Sequence, residues 1–72
     1  MTLKEVEKRK IVVIKKINAK GAFKRRLFDM GLIAGTELYI EKFAPLGDPM
    51  EIKIKGYNLS LRHSDANLIE VE

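Results

Sequence analysis

The second half of the chain alternates apolar and polar residues, and this alternation limits the fold more than any other feature. Four segments show it: residues 38–41, 52–55, 59–62 and 69–72. A period of two with one polar face is typical of half-buried antiparallel strands. Residues 11–14, Ile-Val-Val-Ile, are β-branched throughout and predict a further strand that comes first in the chain. The chain is therefore predicted to be mainly β.

One segment between these strands has a helical period instead. Phe23, Leu27 and Met30 follow one another at spacings of four and three, which places them on one face of a helix. Gly31 comes next, at a position where a left-handed residue commonly ends a helix. The pattern predicts a single short helix at about residues 21–30, inserted between the first and second strands.

The remaining connections are short and fit a single small domain. Residues 56–58, Gly-Tyr-Asn, are predicted to form the tight connection between the third and fourth strands. Residues 64–67 are predicted to form one helical turn that Ser64 or Asp65 caps. Five short strands around a small apolar interior favour a closed barrel, because closure removes exposed sheet edges. We expect one domain over residues 1–72.

The residue composition excludes most catalytic and metal chemistry. The 72 residues contain no cysteine and a single histidine, which removes disulfides, thiolate nucleophiles and cysteine-ligated metal sites. His63 and Asp65 could form only a weak metal site, since a transition-metal site needs three or four ligands. Gly35 is followed by Thr36 without a lysine, so no phosphate-binding loop is present. We expect no enzyme activity, no cofactor and no metal site.

Positive charge is concentrated at the start of the chain. Residues 1–26 hold ten basic and two acidic residues, a net charge of +8, and residues 27–72 hold four basic and eight acidic residues, a net charge of −4. The basic residues in and before the helix are Lys15, Lys16, Lys20, Lys24, Arg25 and Arg26. Such a surface would attract an acidic protein face, an anionic membrane or a nucleic acid, and the alternative is an ordinary solvated face.

Residues 44–49, Ala-Pro-Leu-Gly-Asp-Pro, must form a loop because two prolines and a glycine cannot continue the flanking strands. Leu46 has no alternation partner, so we expect it to be exposed at the tip of a stiff loop. A rigid loop that presents an apolar side chain suits recognition of a partner protein. The alternative is that Leu46 folds back to fill one end of the barrel while Asp48 only caps the turn.

Four blocks of this sequence, taken together, resemble the FeoA family. They are residues 26–36 (RLFDMGLIAGT), 44–49 (APLGDP), 56–62 (GYNLSLR) and 66–71 (ANLIEV). The family pattern is R-L-x-x-M-G-(x)3-G-T, A-P-L-G-D-P, G-x-x-L-x-L-R and A-x-x-I-x-V, in that order. One departure is the entry into the first strand, where residues 8–9 are Lys-Arg in place of the Pro-Gly turn of many members.

This resemblance implies an SH3-like β-barrel that acts as a non-enzymatic accessory protein of bacterial ferrous iron uptake. It implies docking on the cytoplasmic side of FeoB, a membrane transporter with a GTPase domain, and modulation of its assembly or activity. We therefore expect a cytoplasmic protein that is recruited to the inner face of the membrane, with self-association left open. The expected docking residues are Lys24, Arg25, Arg26, Pro45, Leu46, Gly47 and Asp48.

Two other functions remain open from the sequence. A small nucleic-acid-binding barrel fits the basic first third, but it would need aromatic stacking surfaces among basic residues on the strands. Only Tyr39, Phe43 and Tyr57 could provide them, and no basic residues interleave with them in the required way. The domain type is also similar to the C-terminal domain of some metal-dependent repressors, of which this chain would be a stand-alone relative.

Overall fold

The computed structural model describes all of residues 1–72 and is mainly β, as the alternation predicts. A short 3-10 helix, Leu3–Glu5, precedes the first strand. The other elements in chain order are β1 (Ile11–Ile17), α1 (Gly21–Asp29), β2 (Glu37–Phe43), β3 (Met50–Ile54), β4 (Tyr57–Leu61), α2 (His63–Ala66) and β5 (Ile69–Val71).

The strands form one antiparallel sheet in the order β4-β3-β2-β1-β5. The pairing shifts in register between Ile14 and Lys16 of β1 and between Ile40 and Lys42 of β2. Irregularities of this kind increase local twist and bend a strand, which lets a short sheet wrap around its own core. The sheet is that of a small SH3-like barrel.

The barrel does not close between β4 and β5, so the expectation that closure removes every free edge is wrong. β4 pairs only with β3, and the outer edge of β5 is already occupied by the N-terminal residues. Thr2 bridges Glu70, and the Val71 N–H donates to the Met1 carbonyl at 2.9 Å. Because this segment takes the place that β4 would need, β4 keeps one free edge.

The core confirms the alternation in each strand. Leu38 and Ile40 of β2, and Ile52 and Ile54 of β3, are buried, while the residues between them face outward. The full set of buried apolar residues is Leu3, Val6, Val12, Ile14, Ile17, Ala19, Leu27, Leu32, Leu38, Ile40, Met50, Ile52, Ile54, Leu61, Ala66, Ile69 and Val71. Helix α1 contributes only Leu27 to this set, with Phe23 and Met30 packed half-buried beside it.

Helix α1 ends as predicted, at a left-handed glycine. Gly31 has a φ of +90°, and its N–H donates to the Phe28 carbonyl while the Leu32 N–H donates to the Leu27 carbonyl, both at 2.9 Å. This pair of bonds satisfies carbonyls that the helix end would otherwise leave free. Leu32 is fully buried, so the chain turns back over the helix and the core continues into the next segment.

The connection between β3 and β4 is tighter than predicted. Its two turn residues are Lys55 and Gly56, with φ values of +47° and +88°, and Ile54 pairs with Tyr57 directly across the turn. Two positive φ angles define the hairpin turn whose twist matches the flanking strands. The prediction that Tyr57 and Asn58 belong to the turn is therefore wrong, because both belong to β4.

The departure at residues 8–9 is also accommodated in a left-handed turn. Arg9 has a φ of 67°, and its N–H donates to the Ile40 carbonyl at 2.6 Å. The backbone thus adopts at an arginine the conformation that a glycine takes most readily. The entry into β1 is therefore a turn of the kind that a glycine at position 9 would favour, with an added positive charge.

Candidate partner-docking surfaces

The loop between β2 and β3 is closed by backbone bonds and presents Leu46 to solvent. The Ala44 N–H donates to the Pro49 carbonyl at 2.9 Å, and the Gly47 N–H donates to the Ala44 carbonyl at 2.7 Å. Leu46 is 97% exposed, the highest fraction of any large apolar side chain here. Its predicted exposure is confirmed, and the alternative in which Leu46 fills one end of the barrel is wrong.

Asp48 has a structural contact that the sequence did not indicate. Its Oδ1 accepts a hydrogen bond from the His63 N–H at 3.0 Å, so it caps the first turn of α2 from a loop 15 residues away. Neither Ser64 nor Asp65 caps this turn, and that prediction is wrong. Asp48 thereby fixes the base of the loop that carries Leu46.

Substitution of Asp48 by alanine should destabilise the fold modestly. Loss of a side-chain cap of this kind costs about 0.5–2 kcal/mol, because the His63 N–H loses its partner. Urea unfolding measures this cost. The control is Ser64→Ala, which removes an exposed hydroxyl without a cap bond and should change stability by less than about 0.5 kcal/mol. An equal loss in both variants would contradict the assignment of the cap to Asp48.

The second surface is the outward face of α1. Arg25 and Arg26 are exposed, and the Lys24 ammonium lies 5.5 Å from the centroid of the Phe28 ring, a cation–π arrangement. An open cleft of about 630 Å³ lies on this face. It is lined by Gly21, Lys24, Arg25, Phe28 and Asp29. Positive charge and an exposed aromatic ring therefore meet on this face.

Phe28 is the residue of this surface that sequence reasoning missed. It is 45% exposed although it is a large aromatic residue on a helix with a buried side. The signal was in the period: Phe28 follows Leu27 directly, so it cannot lie on the stripe of Phe23, Leu27 and Met30. An aromatic residue off the buried stripe of a short helix indicates an exposed ring.

The basic residues differ in how far their charges are matched. An Asn18 Nδ2 hydrogen bond to the Glu70 carboxylate, at 2.7 Å, lowers the pKa of Glu70, and the nearby charges of Lys16 and Lys15 lower it further. Lys16 also pairs directly with Glu70 in the ladder between β1 and β5, so its charge lies beside an acidic residue. The salt bridges of the structure join Lys42 to Glu51 and Lys53 to Glu41, so none involves the arginines of α1.

The two candidate surfaces lie toward opposite ends of β3. The loop with Leu46 leads into the start of β3 at Met50, whereas the end of α1 meets the hairpin at the other end, where the Tyr57 hydroxyl donates to the Met30 carbonyl. A strand of five residues is about 13–17 Å long. A partner that contacted both surfaces would therefore have to reach along the length of β3.

His63 and Asp65, the two residues considered for metal binding, do not form a group with a third potential ligand. The His63 ring packs edge-on against Phe43 at 6.2 Å between centroids, and its buried Nε2 has no hydrogen-bond partner. No three His, Asp or Glu side chains come together anywhere in the structure.

Neither of the two α-helices of the protein has the length and apolar character that crossing a bilayer requires.

Comparison with known proteins identifies the family. The FeoA domain model matches residues 1–72. The chain is 39% identical over 72 residues to an Fe(2+) transport protein A/Fe(2+) transporter FeoB fusion protein of Porphyromonas gingivalis (strain ATCC BAA-308 / W83). The matched region is the whole of this chain but only 8% of that protein.

Two solved structures extend the similarity to the fold. A FeoA-like protein from Clostridium acetobutylicum is 44% identical, with a TM-score of 0.91 over 100% of this chain and 84% of that one. Stenotrophomonas maltophilia FeoA complexed with zinc, described as an SH3 domain protein, is 28% identical, with a TM-score of 0.86 over 100% and 89%. With a family match over its whole length, the chain belongs to the FeoA domain family.

Proposed function

We propose that this chain is a non-enzymatic accessory protein of ferrous iron uptake that binds a FeoB-type transporter from the cytoplasmic side and modulates its assembly or activity. The observation that carries the proposal is the relative in which an equivalent domain and FeoB form one polypeptide. A fused domain works at the same place as its neighbour at a very high effective concentration. In either arrangement the domain needs a surface that contacts the transporter.

The loop with Leu46 supplies the apolar part of this docking. Its backbone bonds and the Asp48 cap hold the loop before any partner arrives, so little conformational entropy is lost on binding. Burial of an exposed leucine side chain contributes about 1.5–3 kcal/mol. Pro45 and Gly47 act by keeping Leu46 at the tip, and Asp48 acts by anchoring the loop rather than by touching the partner.

Helix α1 supplies the electrostatic part. Lys24, Arg25 and Arg26 attract an acidic surface of the transporter, which raises the association rate more than the final affinity. The inner leaflet beside the transporter would add to this, at about 1 kcal/mol for each basic residue near an anionic surface. These contributions weaken as salt increases, whereas the contribution of Leu46 does not.

A titration of the isotope-labelled protein with the cytoplasmic region of the transporter tests the proposal by NMR. We expect shifts at Leu46, Gly47, Arg25 and Arg26 that persist at moderate salt, and none at Ile11, which is 64% exposed but lies on neither surface. Shifts that spread over all basic residues and vanish with salt would leave only general electrostatic attraction. Binding to a nucleic acid instead, with a steep salt dependence, would replace the proposal with the alternative of a nucleic-acid-binding barrel.

A further inference from the structure

Strand β4 has one edge with no backbone partner. It pairs through all of its residues with β3, from Ile54 opposite Tyr57 to Met50 opposite Leu61, and no backbone hydrogen bond joins it to any other segment. The other outer strand, β5, is covered by Met1 and Thr2. Thr2 is itself held in place, because its N–H donates to the Glu5 carboxylate at 2.7 Å. β4 is therefore the free edge of the sheet.

The register of the hairpin shows which groups of β4 point outward. Tyr57 lies directly across a two-residue turn, so it belongs to a pair that exchanges hydrogen bonds with β3. Hydrogen-bonded and non-bonded pairs alternate along an antiparallel ladder, so Leu59 and Leu61 also bond to β3. The backbone N–H and C=O groups of Asn58 and Ser60 consequently point away from β3, outward from the free edge of the sheet. Both residues are exposed.

This edge lacks the features that usually prevent strand pairing. Exposed edges are commonly protected by a lysine, a proline, an inward charge or a bulge. Residues 57–61 contain no charged residue and no proline, and their pairing with β3 is continuous. Because the β5 edge is covered, two copies of the chain cannot join head to tail through β4 and β5. Edge pairing between copies is limited to β4 against β4.

We propose that β4 pairs antiparallel with β4 of a second copy, across a twofold axis at Leu59. In this register Asn58 lies opposite Ser60 of the second copy, and these two residues exchange the outward hydrogen bonds on each side of the axis. The arrangement is self-complementary, and within residues 57–61 it places only neutral side chains opposite one another.

A strand of five residues makes a small contact, so the dimer should be weak. We expect a dissociation constant on the order of 0.1–1 mM. Sedimentation of the full chain between about 0.01 and 1 mM should show a monomer that converts to a dimer. NMR spectra over the same range should show downfield shifts of the Asn58 and Ser60 amides, and much smaller changes at the Leu59 amide, which already bonds to β3.

Two charged variants test the register. Asn58→Lys with Ser60→Lys, and Asn58→Glu with Ser60→Glu, each place like charges opposite each other and should each weaken self-association at least about fivefold. An equimolar mixture of the two should form a mixed dimer. Circular dichroism confirms folding, and Ser64→Lys with Asn67→Lys, exposed positions outside β4, should leave the dimer intact.

Three outcomes would overturn the proposal. The first is a monomer at 1 mM with unchanged amides of Asn58 and Ser60. The second is a dimer that both charged variants retain on their own, which would place the contact elsewhere. The third is a mixture that does not associate, which would exclude this register. None of these outcomes bears on the binding of the transporter, because the proposed dimer uses neither Leu46 nor α1.

Discussion

Leu27→Ala is expected to remove a large part of the stability of the fold. Leu27 is fully buried and is the only residue of α1 in the core. Truncation of a buried leucine costs about 2–5 kcal/mol, because it loses burial and leaves a cavity. The total free energy of unfolding of a protein of 72 residues is only about 4–11 kcal/mol. The melting temperature should therefore fall by about 10–30 °C.

The matched control is the next residue on the same helix. Phe28→Ala removes a larger side chain, but one that is 45% exposed and lies outside the buried core, together with its cation–π contact with Lys24. Alanine also has the higher helix propensity, so the variant should stay within about 1 kcal/mol of the original protein. Thermal unfolding of both variants decides the matter. An equal loss would mean that α1 is held by its outward face and not by Leu27.

The strands and the helix could be predicted because their signals are local. Alternation along β2 and β3, and the spacing of Phe23, Leu27 and Met30 in α1, depend only on which side of each element is buried. Gly31 marked the helix end for the same reason, since a positive φ is a property of one residue. Each of these features could be predicted without knowledge of the rest of the chain, and each is confirmed in the structure.

The features that sequence reasoning missed are contacts between distant segments. The cap of α2 comes from Asp48, and no spacing rule connects a loop aspartate to a helix 15 residues later. The free edge of β4 depends on Met1 and Thr2, which occupy β5 from the far end of the chain. Closure was the reasonable expectation for five strands, but it fails because a sixth segment competes for the same edge.

The candidate site was predicted to different depths. The exposure of Leu46 could be predicted because Pro45 and Pro49 force a loop there, and Leu46 has no alternation partner within it. Asp48 was placed in the same loop, but its side chain serves the fold. The fold by itself does not indicate iron transport, since small barrels of this kind serve many functions. The functional inference comes from the family and from the surface residues.

Leu46→Asp should weaken binding of the transporter's cytoplasmic region at least about tenfold without affecting the fold. The substitution removes about 1.5–3 kcal/mol of apolar burial and adds a charge that the contact would have to desolvate. Each 1.4 kcal/mol corresponds to a factor of ten in affinity. Stability should change by less than about 0.5 kcal/mol, because Leu46 is 97% exposed and contacts nothing that it could disturb. Isothermal titration calorimetry measures the affinity, and urea unfolding measures the stability.

Two further variants separate the loop from general surface effects. Leu46→Met keeps the apolar area and should bind within about threefold of the original protein, since such exchanges cost little. Ile11→Asp introduces the same charge at another exposed apolar position, on β1, and should leave the affinity unchanged. If Leu46→Asp binds as well as the original protein, the loop has no role and docking must depend on α1. If the original protein itself does not bind, the proposed association with the transporter fails, whatever the loop does.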